Sequence, residues 1–190
     1  MTDALTAWLP PADAPDTLAE LWLRESEILV ILFTTTLVTV GMHFPGVSTF
    51  RGYARCPGNG CGLCKVGKKL ERRDLLPVYD PVAKRVAVLA VSPSLRPGAL
   101  APLLMTHLAT VKSGGTPLLG LRKSGPYTFS VTPYPTPAGT DLGIEAITAF
   151  REAFEDGTVR LQDVFPVLDA AAVAAIPELA AHAKLVGVTL

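Results

Sequence analysis

Three cysteines and one histidine fall in the stretch HFPGVSTFRGYARCPGNGCGLC, residues 43–64, in the order H-x12-C-x4-C-x2-C. Cys61 and Cys64 are two residues apart with Gly62 between them, a spacing that lets both thiolates face one tetrahedral cation. Cys56 and His43 complete a Cys3His set, the closed four-ligand arrangement of structural zinc. The plain alternative is three unrelated buried thiols and a chance histidine. Scattered thiols, however, seldom fall within nine residues around Pro57, Gly58, Asn59 and Gly60. The expected cofactor is therefore one structural Zn2+ held by His43, Cys56, Cys61 and Cys64.

Four protein ligands leave no coordination position for an activated water, which argues against an enzyme. A nucleobase deaminase needs H-x-E and P-C-x-x-C, whereas Phe44 and Pro45 follow His43, and Gly60 precedes Cys61. A metal nuclease needs clustered carboxylates, and the middle of the chain offers only Glu71, Asp74 and Asp80.

Charge points to a different chemistry. The formal net charge of the 190 residues is zero, but residues 1–50 carry one basic and six acidic side chains. Residues 51–123 carry thirteen basic and three acidic, and residues 124–190 three and eight, so the segments stand at −5, +10 and −5. Charge runs are often only solvated faces, but this one coincides with the cysteine knuckle and suits a polyanionic partner. A single strand is held by cations along its phosphates and by aromatic faces on which unpaired bases stack. Arg51, Tyr53 and Arg55 alternate along a predicted strand and would share one face, with Phe50 and Ala54 on the core side. Lys65, Lys68, Lys69, Arg72 and Arg73 would line the strand's path, with Tyr79 and Tyr127 as further stacking rings. Phe129 is expected to pack inside, and His107, on an apolar helix face, to be a core or boundary residue.

The elements that must position these groups read as mainly β with helices. Residues 1–16, with Pro10, Pro11 and Pro15, are a flexible lead, and 17–23 a short helix or packing segment. The β-branched run 28–42 reads as one long strand; at about fifteen residues with four threonines it is too short and polar for a membrane span. Strands follow over 49–55, 75–79, 85–91, 118–123 and 127–132, with a helix starting near Gly98. That order predicts an OB-like Greek-key barrel over 17–133 with an inserted zinc knuckle. After the linker at 134–139, residues 134–190 predict a helical segment over 142–155 and 169–184, kinked at Pro177, packed on the barrel or a partner. The acidic, proline-rich start lacks the pattern of a secretory signal, and clustered metal-type cysteines suit a reducing, cytoplasmic compartment.

The ligand order, with His43 twelve residues before Cys56 and Cys61-Gly-Leu-Cys64 closing the set, resembles the core of the single-stranded DNA-binding proteins of T-even-type phages. The resemblance runs over about residues 28–155 and includes the basic segment, Leu76-Pro-Val-Tyr-Asp80, a hairpin, a helix and the strand at 127–132. It implies a zinc-containing OB-fold, sequence-tolerant binding of single-stranded DNA in replication, recombination or repair, and replication or recombination proteins as further partners. The chain differs from that family in a shorter loop between Cys56 and Cys61, the lack of a basic N-terminal segment, and an apolar C-terminus, AKLVGVTL. The reading from another class is a zinc-stabilised protein-interaction module that binds no nucleic acid.

Overall fold

The computed structural model describes residues 18–50, 52–154 and 160–190; the expected lead at 1–16 and Arg51 lie outside them. Among the described residues there are eight strands and five α-helices, a mixed α+β architecture. The first part of the chain forms β1 (Leu18–Glu20), β2 (Ile28–Ile31), β3 (Val38–His43), β4 (Ala54–Arg55) and α1 (Gly62–Lys65). Then come β5 (Leu70–Asp80), β6 (Arg85–Val91), α2 (Leu100–Lys112), β7 (Leu118–Lys123) and β8 (Phe129–Tyr134). Helices α3 (Leu142–Phe154), α4 (Ala170–Ala175) and α5 (Pro177–Leu185) complete it. No helix among the described residues is long and apolar enough to cross a membrane.

The chain divides into two compact units, one containing Val40–Arg72 and Phe165–Leu190, the other Thr17–Thr39 and Arg73–Val164. In the second unit the strand order is β1-β6-β5-β2-β7-β8. The β5–β6 hairpin turns at Asp80, whose carboxylate accepts from the amides of Val82 at 2.9 Å and Ala83 at 3.0 Å, a local bond that competes with strand extension. Val30, Leu76, Val78, Leu89, Leu119 and Leu121 form a core with Leu100 and Leu104 of α2. Ile31, Tyr79 and Leu118 form another with Ala146 of α3.

The expected closed barrel is not what forms. The order is an open path ending at β1 and β8, which do not pair with each other among the described residues. The reason lies in two-sided burial. Val86, Ala87, Val88 and Leu89 are buried in succession in β6, and residues 75–79 in β5. Alternating barrel strands carry one apolar face, whereas strands covered on both sides read as continuous apolar runs.

Three local expectations change with it. The single strand over 28–42 is two, because the threonine run between β2 and β3 turns on itself, with Thr34 Oγ1 accepting from the Thr36 amide at 3.1 Å. The strand over 49–55 shrinks to Ala54–Arg55, since Gly52 takes a φ of 111° that no strand allows. Residues 18–20 form a strand parallel to β6, with Ala19 opposite Ala87, in place of a helix. Nor does a boundary at 133/134 describe the chain: α3 belongs to the second unit, while α4 and α5 belong to the first.

The first unit is built around β3, β4 and α1. Leu63 and Val66 share a core with Phe50, Ala54 and Cys61, closed by Leu168, Val173, Ile176, Leu179 and Ala183 from the C-terminal segment. The expected break at Pro177 separates α4 from α5, with Pro177 at the first position of α5, where its missing N–H costs nothing.

Candidate metal centre and basic segment

Strand pairing places the first two candidate ligands. β3 and β4 are antiparallel, with Met42 opposite Arg55 and His43 opposite Ala54, and the Cys56 amide donates to the Gly41 carbonyl at 2.9 Å. His43 and Cys56 therefore leave neighbouring strands side by side. The other two come from α1, whose N-cap is Cys61: its sulfur accepts the Cys64 amide at 3.4 Å, as an N-capping oxygen would.

The four ligand atoms of His43, Cys56, Cys61 and Cys64 all lie within 4.8 Å of one another. His43 Nε2 is 3.5 Å from Cys61 Sγ and 3.3 Å from Cys64 Sγ, and the Cys56 and Cys64 sulfurs are 3.6 Å apart. A tetrahedral cation with bonds of about 2.0–2.3 Å requires ligand separations of about 3.3–3.8 Å, the range in which these three contacts fall. The cluster could hold a metal ion.

Two features prepare it for that task. His43 is fully buried, and its Nδ1 lies 3.0 Å from the Lys69 carbonyl. Donation of the Nδ1 proton to that carbonyl leaves the Nε2 lone pair facing the sulfurs, the second-layer hydrogen bond that orients ligating histidines. The second is the crowding of the sulfurs. Burial pushes the Cys64 thiol up to about 12, and the hydrogen bonds and charges of Cys56 and Cys61 add to the rise, although the residue as a whole is exposed. Three sulfurs this close cannot ionise together without a positive ion among them.

The C-terminal segment grips the knuckle through backbone contacts that carry no sequence signature. The Gly62 amide donates to the Leu168 carbonyl at 3.1 Å, and the Arg55 amide to the Pro166 carbonyl at 2.8 Å. Cys61 and Asp169 form an antiparallel bridge. Ser48 and Thr49 donate their hydroxyls to the two carboxylate oxygens of Glu178 at 2.6 and 2.8 Å, which holds that carboxyl down at about 2.

The predicted nucleic-acid contacts are distributed unequally. Tyr53, Arg55, Lys65, Lys68, Lys69 and Arg72 lie in the first unit with the candidate ligands. Lys65, Lys69 and Arg72 are exposed, Lys68, Tyr53 and Arg55 half-buried, and the alternation holds locally, with Phe50 and Ala54 in the core. Arg73 and Tyr127 belong to the second unit, where Arg73 is half-buried and Tyr127 is 85% exposed.

Tyr79 must be withdrawn as a stacking ring. It is 3% exposed, packs with Ile31, Leu118 and Ala146, and its hydroxyl donates to Glu145 Oε2 at 3.4 Å. Strand alternation places it on the face of β5 that α3 covers. Phe129 and His107 are half-buried, as expected.

One aromatic residue was passed over. Phe44, next to the candidate ligand His43, is 52% exposed and sits with its ring centroid 5.5 Å from that of Tyr53, the planes tilted by 56°. The antiparallel register could have found it, since extending the His43–Ala54 pair by one step puts residue 44 opposite residue 53.

No protein-family model, no curated protein and no solved structure matches this chain.

Proposed function

We propose that this protein binds single-stranded nucleic acid, with DNA the first candidate, through a zinc-stabilised module made of the first unit. The observation that carries the reading is the run of exposed cations, Lys65, Lys69 and Arg72, that leaves the cysteine knuckle directly along the chain. Zinc is the metal of choice because three thiolates and one imidazole form a soft tetrahedral donor set with no open position. It would be held by His43, Cys56, Cys61 and Cys64 and would supply folding energy and charge neutralisation, not chemistry on a substrate. The basic residues follow phosphates, and half-buried Tyr53 offers part of its ring to a base.

The ligand order shared with the T-even-type phage single-stranded DNA-binding proteins supports this reading and suggests a role in replication, recombination or repair. The open sheet does not support it, so the proposal stands on the side chains of the first unit. An enzyme remains the less favoured class, because all four candidate metal positions are filled by protein.

Gel-shift competition between oligothymidine and a duplex of equal length tests the proposal. Preference for the single strand, weakened in Lys69→Ala and Arg72→Ala, is expected. Equal or stronger duplex binding would refute it, and no binding of either would favour the protein-interaction module.

A further inference from the structure

We propose that Phe44 and Tyr53 together form a metal-set aromatic wedge that takes one unpaired nucleobase, and that Phe44 is the residue that separates single strands from duplex. The inference rests on the single-strand reading above. Phe44 is a large apolar ring, half exposed beside a fully buried ligand, a placement that core packing does not explain. Its neighbour Tyr53 is tilted by 56° at 5.5 Å, so the two rings are in contact but are not stacked in parallel. About half of Phe44 is left toward solvent.

The surroundings fit a nucleotide better than an apolar partner. The Lys69 backbone is hydrogen-bonded to His43, which immediately precedes Phe44, and the Lys69 side chain is exposed, as is that of Arg72 three residues on in β5. Lys69, whose backbone meets His43, offers a cation to the phosphate adjoining a base on Phe44. Stacking on a ring is open to any base with a free π-face, hence tolerant of sequence, and closed to a base already stacked on both sides in a duplex.

The same backbone ties the wedge to the metal. His43 ends β3 just before Phe44, Tyr53 precedes the Ala54 that pairs with His43, and Cys56 lies at the far end of that pairing with its amide on Gly41. A cation joining His43 to Cys56 therefore staples the two strands whose next step is the ring pair.

The test uses the full metal-loaded chain with oligothymidine and duplex, in wild type, Phe44→Ala, Phe44→Leu and Phe44→Trp. Phe44→Ala and Phe44→Leu are expected to weaken single-strand binding by between about 5-fold and about 150-fold, the range set by one lost base stack. Duplex binding, metal content and the salt slope should stay unchanged, and Phe44→Trp should retain wild-type affinity. A single-strand affinity of Phe44→Leu within twofold of wild type overturns the inference while leaving the single-strand reading intact. So does an equal loss on duplex, or a loss that only follows metal release. Failure of the wild type to bind oligothymidine at all would overturn the underlying reading instead, and the inference with it.

Discussion

The Gly62 amide donates to the Leu168 carbonyl at 3.1 Å, so the turn between two candidate metal ligands is fastened to a segment more than a hundred residues away in sequence. The approach leaves no room for a side chain. A Cβ on Gly62 would stand 2.7 Å from Val173 Cγ2 and press on the carbonyl group of Asp169. Gly62→Ala is therefore expected to destabilise the protein by about 1–3 kcal/mol through overpacking, read as a lower melting temperature. An unchanged melting temperature would mean that the C-terminal segment is not seated on the knuckle.

Metal and C-terminal helices should come and go together, because Cys61 and Leu63 share a core with Leu168, Val173 and Leu179. Purified protein is expected to contain one zinc per chain by elemental analysis. Chelation, or Cys61→Ser, should lower the melting temperature and cost amide-exchange protection first in α1, α4 and α5. Full protection of those helices in metal-free protein would separate the site from its support.

Tyr79 supplies a control for the binding experiments. Buried against Ile31 and Leu118, it should behave as a core residue: Tyr79→Ala costs about 3–5 kcal/mol of stability, with affinity for oligothymidine per folded molecule unchanged. Tyr79→Phe should be mild, since it removes only the 3.4 Å bond to Glu145. A specific loss of affinity in Tyr79→Phe would restore the ring as a contact.

Glu20 gives the pH dependence. Burial pushes its carboxyl up to about 8, partly offset by the positive charge of Arg73. A raised carboxyl binds its proton more tightly when folded, so its contribution is fully favourable below the ordinary carboxylate value near 4.5 and declines as pH rises toward 8. Each tenfold difference in proton affinity between the two states corresponds to about 1.4 kcal/mol. Glu20→Gln should accordingly melt higher than wild type at pH 8, with the gap closing below pH 4.5. A gap that is independent of pH would show that the carboxyl is not held in its neutral form.

The candidate metal cluster was legible in the sequence because all four groups fall within one short stretch and thiols at knuckle spacing have few other uses. The helices and the β5–β6 hairpin were legible for similar local reasons: apolar periodicity for α2 and α3, an Asp-Pro turn for the hairpin. What was missed depends on partners distant in sequence. Leu168 and Asp169 meet the knuckle through backbone atoms, which any residue would supply. Tyr79 looked available because nothing near it in sequence announces that α3 covers its face. The barrel was read from element order, although the unbroken apolar run Val86 to Leu89 already favoured strands covered on both sides. Phe44 lies outside the basic run, and only the pairing of His43 with Ala54 places it opposite Tyr53.

The most direct test of the central claim is a titration of fluorescently labelled oligothymidine with the zinc-loaded chain at low and at physiological salt. Three exposed cations following the knuckle, Lys65, Lys69 and Arg72, predict a log–log slope of roughly −2, at about −0.7 per phosphate contacted. Affinity that falls with salt on that slope, and a shallower slope in Arg72→Ala, is the predicted result. Salt-independent binding, or none at low salt, would contradict it.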